Sequence, residues 1–181
     1  MNSEKKRTAG ILVMSMWEGK QVAVLLRRGK FHHKKLCGQK YPGGCQITTH
    51  SDLLESETPE QGTKRGLADE IGQDAAEIII DNRQNLNTGK MSWSVDEETP
   101  TAFVTSFIVY VPNASFITPA KLNGSAGGFE MLTEDRVGDI KNLRDFSNVT
   151  GVTDLNTVAM FPDEASLVKK GFELIRGLPQ P

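Results

Sequence analysis

The chain has 181 residues, 38% of them hydrophobic, which suits one globular domain over residues 1–181 with a core large enough to need no covalent staples. A formal charge of −2 excludes a global basic field of the kind that draws nucleic acid or a membrane surface, so an anionic partner has to be held by a local patch. Two cysteines, Cys37 and Cys45, are too few for a disulfide framework, and no apolar run is long enough to span a bilayer; both point to the reduced cytoplasm.

The N-terminal run Ile11-Leu-Val-Met14 after Lys5-Lys-Arg7 faintly mimics a signal peptide, but Glu18 and Lys20 interrupt it and a first strand explains it better. Residues 8–17 and 21–26 are apolar and rich in β-branched side chains, with Glu18-Gly19-Lys20 between them, so the pair reads as a hairpin. The second strand runs into Arg27-Arg-Gly-Lys-Phe-His-His-Lys-Lys35, a local phosphate clamp or a solvated basic turn, in which Arg27 and Arg28 are the substrate-binding candidates. His32, His33, Cys37 and Cys45 do not have the ligand spacing of a zinc site. Residues 39–46 form a turn around Tyr41-Pro-Gly-Gly44, where backbone can approach a ligand closely, and residues 47–53 read as a polar loop.

Thr58 and Gln61 have capping-box spacing, Pro59 suits a first helical position, and Gly72 supplies a stop, so a helix spans the interval. Asp69 and Glu70 then fall in its last turn, where each carboxylate costs roughly 0.3–1 kcal/mol against the helix dipole. That pair needs a compensating positive charge. Arg65 supplies part of it one turn earlier, and a hard divalent cation would supply more. Gly62, Gly66 and Glu70 share one helix face, and two mid-helix glycines at about 1 kcal/mol each imply close packing or room for a ligand; packing is favoured at Gly62, and Gly66 is left open.

Further on, residues 77–80 read as a strand, 81–90 as an Asn-rich turn, and 101–111 as a buried central strand. Trp17, Phe103, Phe107 and Tyr110 are core candidates before they are base-stacking ones, whereas Trp93 lies in a polar stretch and reads as exposed. Residues 113–128 are loop-like, 129–132 form a short strand, and Thr133 caps a small helix. Asp163 caps a last helix with Leu167, Val168, Phe172 and Ile175 on one side, ending at Gly177 and Pro179. Walker loop, dinucleotide fingerprint and serine elbow are all missing from the sequence.

Taken together, Pro42-Gly-Gly44, Glu57, Arg65, Leu67, Asp69, Glu70 and Gly72 resemble the Nudix box, G-x5-E-x7-R-E-U-x-E-E-x-G-U with U a bulky aliphatic, and from Glu57 onward the spacing has no gap. Three departures stand out. Twelve residues separate Gly44 from Glu57 where the pattern has five, Gln73 takes the last aliphatic position, and Gly66 replaces a glutamate that in many members binds metal or assists the attacking water.

The resemblance implies an α/β fold, an α/β/α sandwich around a mixed β-sheet. It also implies a metal-dependent hydrolase of the MutT type that uses Mg2+ or Mn2+ to cleave a nucleoside diphosphate linked to another moiety. Carried over, Glu70 is the principal metal ligand, Asp69 a second ligand or water-orienting base, the Gly44 carbonyl a third ligand, Glu57 an outer partner, and Arg65 the group that orients the carboxylates. With Gly66 unable to act as base, Glu97, Glu98 and Glu130 are the candidates to replace it, and restoring Gly66→Glu is expected to raise activity if the site is merely weakened. The rival is a Nudix-fold binding module that has lost efficient catalysis. The expected partner is a small nucleotide-like diphosphate, with no nucleic acid and no membrane; a homodimer is left open.

Overall fold

The computed structural model describes residues 5–85, 95–98 and 101–178. In chain order the strands are β1 (Lys6–Trp17), β2 (Lys20–Arg28), β3 (Phe31–His32), β4 (Cys37–Gly38), β5 (Cys45–Gln46), β6 (Thr49–Asp52), β7 (Gln84–Asn85), β8 (Val95–Glu98), β9 (Ala102–Val111) and β10 (Ala126–Thr133), followed by a small pair, β11 (Lys141–Asn142) and β12 (Ala159–Met160). The helices are α1 (Pro59–Ile71), α2 (Gln73–Asn82) and α3 (Pro162–Ile175).

The opening hairpin forms as its pattern predicts, and Glu18 and Gly19 take the positive φ values, 48° and 75°, that a two-residue turn needs to match strand twist. β9 lies parallel to β1 over ten residue pairs while β2 and β10 continue the sheet antiparallel, which makes the sheet mixed. Alternation along the strands sends side chains to two cores. Ile11, Val13, Val24, Leu26, Phe107 and Val109 pack with Leu67, Ile71 and Ile79 of α1 and α2. Leu12, Met14, Leu25 and Ile108 pack with Val168, Phe172 and Ile175 of α3. The result is the α/β/α sandwich. Among the described residues no helix is long and apolar enough to cross a membrane.

Local expectations fail at four places. Residues 77–80 belong to helix α2, whose Ala75, Ala76 and Ile79 face the core; the β-branched run suggested a strand, but burial at helical spacing decides. Residues 47–53 are not a free loop, because β6 pairs antiparallel with the first half of β1, Thr8↔Asp52 to Ile11↔Thr49. α3 begins at Pro162 after Phe161, with no side-chain cap from Asp163, and Thr133 likewise precedes the short 3-10 helix Glu134–Asp139 without a side-chain cap. Trp93 lies outside the described residues.

One edge of β1 is thus shared, with Val13 to Trp17 pairing with β2 and Thr8 to Ile11 with β6. The fork is bridged by the fully buried Thr48, whose hydroxyl accepts from Val13 N–H at 2.8 Å and donates to Val24 C=O at 2.7 Å. Thr48→Val keeps the shape but strips both bonds, and two buried backbone groups left bare are expected to cost about 2–4 kcal/mol. Urea unfolding measures this loss. Thr48→Ser, which keeps the hydroxyl, should lose clearly less, and equal losses would remove the hydroxyl from the explanation.

Candidate functional site

α1 starts as its sequence specifies: Thr58 Oγ1 accepts from Gln61 N–H at 3.2 Å, and Gln61 Oε1 accepts from Thr58 N–H at 2.9 Å. It then lies unusually close to β6, and its glycines are the reason. A Cβ on Gly62 would stand 2.1 Å from Leu53 Cδ2, and one on Gly66 would stand 2.3 Å from Ser51 Oγ and 3.0 Å from Thr49 Oγ1. Both positions are therefore packing contacts. A side chain at position 66 and the strand that residues 49–52 build compete for one volume.

Beside this seam Arg65 forks onto Glu57, with Nε 2.8 Å from Oε1 and Nη2 2.9 Å from Oε2, while Nη2 also donates to Asp52 C=O at 2.8 Å. Glu57 accepts Leu54 N–H as well, at 3.0 Å. The Arg65 contact holds the Glu57 carboxyl down at about 2. This pair ties the 54–57 turn to the helix. Asp69 is paired with Lys34 of the β3/β4 hairpin and lies 3.6 Å from Arg65 Nη1.

Glu70 is placed differently. Its Oε2 is sealed from solvent, and burial pushes its pKa up to about 7, an effect partly offset by hydrogen bonding from the Thr49 and Gln46 side chains and by the charges of Lys34 and Arg28. Arg28, on the same sheet face as α1, donates from Nε to Lys40 C=O at 2.9 Å and from Nη1 to Gln46 Oε1 at 3.3 Å. Burial lowers its pKa, and Glu164 and Glu70 hold it up.

Arg28, His32, His33, Lys34, Lys35, Gln39, Gln46, Arg65, Asp69 and Glu70 line one cleft of about 450 Å³, within the size range of small-molecule sites. Gln39 Oε1, Thr49 Oγ1 and Glu70 Oε2 are sealed from solvent. Gln39 and Glu70 line the cleft, and the Thr49 side chain hydrogen-bonds to Glu70. Thr49 and Glu70 therefore serve each other at the cleft wall, and the cleft itself is lined largely by cations and neutral polar side chains.

Four expected site residues lie elsewhere. Arg27 points to the opposite sheet face, buried, with Nη1 donating to Gly43 C=O at 3.0 Å and Thr157 C=O at 3.2 Å, and Nη2 to Glu130 Oε2 at 2.6 Å and Leu155 C=O at 2.7 Å. It is a structural clamp, not a substrate contact. Glu130 is held between Arg27 and Arg136 on that face, so it is no base for this cleft. The Gly44 carbonyl already accepts Arg28 N–H at 2.8 Å as part of the sheet, and Gly44 is not among the residues that line the cleft. Glu98 pairs with Lys5 at the sheet end; the Glu97 side chain lies outside the described residues.

Sequence reasoning missed Gln46, Thr49, Asn123, Ser125 and Glu164. For the first two the β-branched run Ile47-Thr-Thr49 was a usable strand signal. Glu164 is almost fully buried at the start of α3, with Oε1 accepting Ile47 N–H at 3.3 Å, and desolvation raises its pKa to about 8. A carboxyl whose folded pKa exceeds its unfolded value contributes stability that is complete below the unfolded value and lost as pH rises through the folded one. Stability should therefore fall between about pH 5 and about pH 9, and denaturant midpoints of Glu164→Gln should fall less steeply over that window. A parallel fall in the variant would discharge Glu164 from this role.

No family model and no curated protein matches the chain. Solved structures do match over nearly its whole length. The Ap4A hydrolase of C. elegans, solved as a binary complex, superposes with a TM-score of 0.58 over 96% of this chain and 99% of that one at 12% identity. RenU, a Nudix hydrolase from M. smegmatis, gives 0.57 over 97% and 88% at 17% identity. The NUDIX domain of Shewanella oneidensis NrtR, solved with ADP ribose, gives 0.55 over 94% and 88% at 11% identity. The chain has the Nudix fold. In this chain α1 carries the residues that resemble the box, and β6 lies between the glycine turn and that helix.

The metal that the Nudix resemblance implies meets an incomplete donor set. The buried Glu70 carboxylate suits a cation, but Asp69 is already paired, the Gly44 carbonyl is engaged by Arg28 N–H, and a Cβ at Gly66 would crowd Ser51 and Thr49. Among the described residues no three His, Cys, Asp or Glu side chains converge on a metal position.

Proposed function

We propose that the cleft binds a small nucleotide-linked diphosphate. The cations of the cleft carry this reading: Arg28, Lys34 and Lys35 line it together and suit phosphate, and the polar side chains of Gln39, Gln46, Asn123 and Ser125 on the same walls suit the hydroxyl and amino groups of a nucleoside. The ADP ribose and Ap4A named for two proteins of this fold support the choice of ligand class.

A second reading, hydrolysis of the diphosphate linkage, is favoured by Glu70. A carboxyl poised at about 7 next to Arg28 can accept a proton from water or return one to a leaving group near neutral pH. Because the donor set for Mg2+ or Mn2+ is incomplete, no step is routed through a metal here.

Calorimetric titration with ADP-ribose, dinucleoside polyphosphates, nucleoside diphosphate sugars and nucleoside triphosphates tests the first reading, with phosphate release in added Mg2+ or Mn2+ testing the second. At least one ligand should bind, and Arg28→Gln should weaken it by about tenfold or more, the worth of a charge-assisted bond. Absence of binding across the panel, or an Arg28→Gln chain that binds equally well, overturns the proposal. Turnover abolished by Glu70→Gln selects the hydrolase; binding with no turnover selects the binding module.

A further inference from the structure

Two acids in the last turn of α1 sit at the negative end of the helix and call for positive charge. The chain supplies it. Lys34 Nζ lies 2.5 Å from Asp69 Oδ2, and Arg65 Nη1 lies 3.6 Å from the same oxygen. The hairpin that carries Lys34 is tied in place, because His33 N and Nδ1 reach Ser125 Oγ at 3.2 and 2.8 Å. Ser125 N–H donates to Asn123 Oδ1 at 2.8 Å, and Asn123 closes onto the helix, giving Nδ2 to Asp69 C=O at 2.6 Å and its N–H to Glu70 C=O at 3.2 Å. A continuous run of bonds therefore joins the hairpin to the last carbonyls of α1 and holds Lys34 over the acid pair.

We infer that the Lys34 ammonium is a tethered cation, standing where a divalent ion would otherwise bridge Asp69 and the phosphates of a bound ligand, so that the cleft receives a diphosphate without a metal. An ammonium is a compact, strongly hydrated point charge with three rotatable donors, able to serve a carboxylate and a phosphate oxygen together. Gly66 is consistent with this arrangement. With a monovalent ammonium on Asp69, the helix needs no third carboxylate beside Asp69 and Glu70. The inference rests on the cleft reading above for its ligand, but its test needs only Mn2+.

Mn2+ is titrated into the full chain and the free ion read by electron paramagnetic resonance, for wild type, Lys34→Gln, Lys34→Arg and the double variant Lys34→Gln/Asp69→Asn, each checked for folding by thermal unfolding. Removing the ammonium should tighten Mn2+ binding by about tenfold or more over wild type, since two cations a few ångströms apart repel strongly even near a surface. Lys34→Arg should behave as wild type, and Asp69→Asn should abolish the gain. Equal Mn2+ binding in wild type and Lys34→Gln, whether both bind or neither does, overturns the inference. So does a gain that survives in the double variant or appears in Lys34→Arg.

Discussion

A chain carrying Gly66→Glu is expected to lose about 3 kcal/mol or more of stability and to gain no turnover, because overpacking and a second buried carboxylate are imposed together. The clash begins at Cβ, 2.3 Å from Ser51 Oγ, before any carboxylate is placed, and turning the hydroxyl aside still leaves Thr49 Oγ1 at 3.0 Å and Ser51 Cβ at 3.3 Å. Helix propensity opposes this by only about 1 kcal/mol. Gly66→Ala isolates the steric part, and pairing it with Ser51→Gly in a double-mutant cycle should recover much of the loss, since the two positions are in contact. Denaturant unfolding reads all of these variants. A Gly66→Glu chain that is as stable as wild type, or that hydrolyses a diphosphate the wild type leaves intact, would show that the position is an emptied catalytic site and not a seam.

Arg27→Met is expected to be as costly on the other sheet face. It leaves the Gly43, Leu155 and Thr157 carbonyls without their donor and strips Glu130 of its buried partner, and breaking such a pair typically costs about 3–5 kcal/mol. Arg136 still holds Glu130 from a more exposed position, which sets the lower end of that range. Replacing Arg27 and Glu130 together by apolar residues should be milder than Arg27→Met alone. A loss below about 1 kcal/mol for Arg27→Met, with ligand affinity reduced as much as by Arg28→Gln, would return Arg27 to the substrate-binding role its neighbour holds.

What was legible in the sequence was local. The capping box at Thr58 and Gln61, the stop at Gly72 and the buried apolar run of β9 are each written within a few residues, and the structure follows them. Arg27 and Arg28 could not be separated in that way: adjacent strand residues face opposite sides, and which side holds α1 is decided by packing far along the chain. Glu164 is more than ninety residues from Glu70, and nothing in its own neighbourhood announces that α3 brings it beneath Ile47. The Ile78-Ile79-Ile80 run misled for a related reason, since its β-branched composition is a weaker determinant than the burial of Ile79 against the sheet. Gly66 carried its meaning in Ser51, fifteen positions earlier.

The fork at Thr48 gives the protein a clock. β2, which carries Arg28, and β6, which lies against α1, part company at that hydroxyl, so separating the two walls pulls on its bonds to the Val13 amide and the Val24 carbonyl. Hydrogen–deuterium exchange at that amide therefore times the opening of the walls, and a ligand that spans from Arg28 to Glu70 must slow it while leaving the fraying ends of the sheet unchanged.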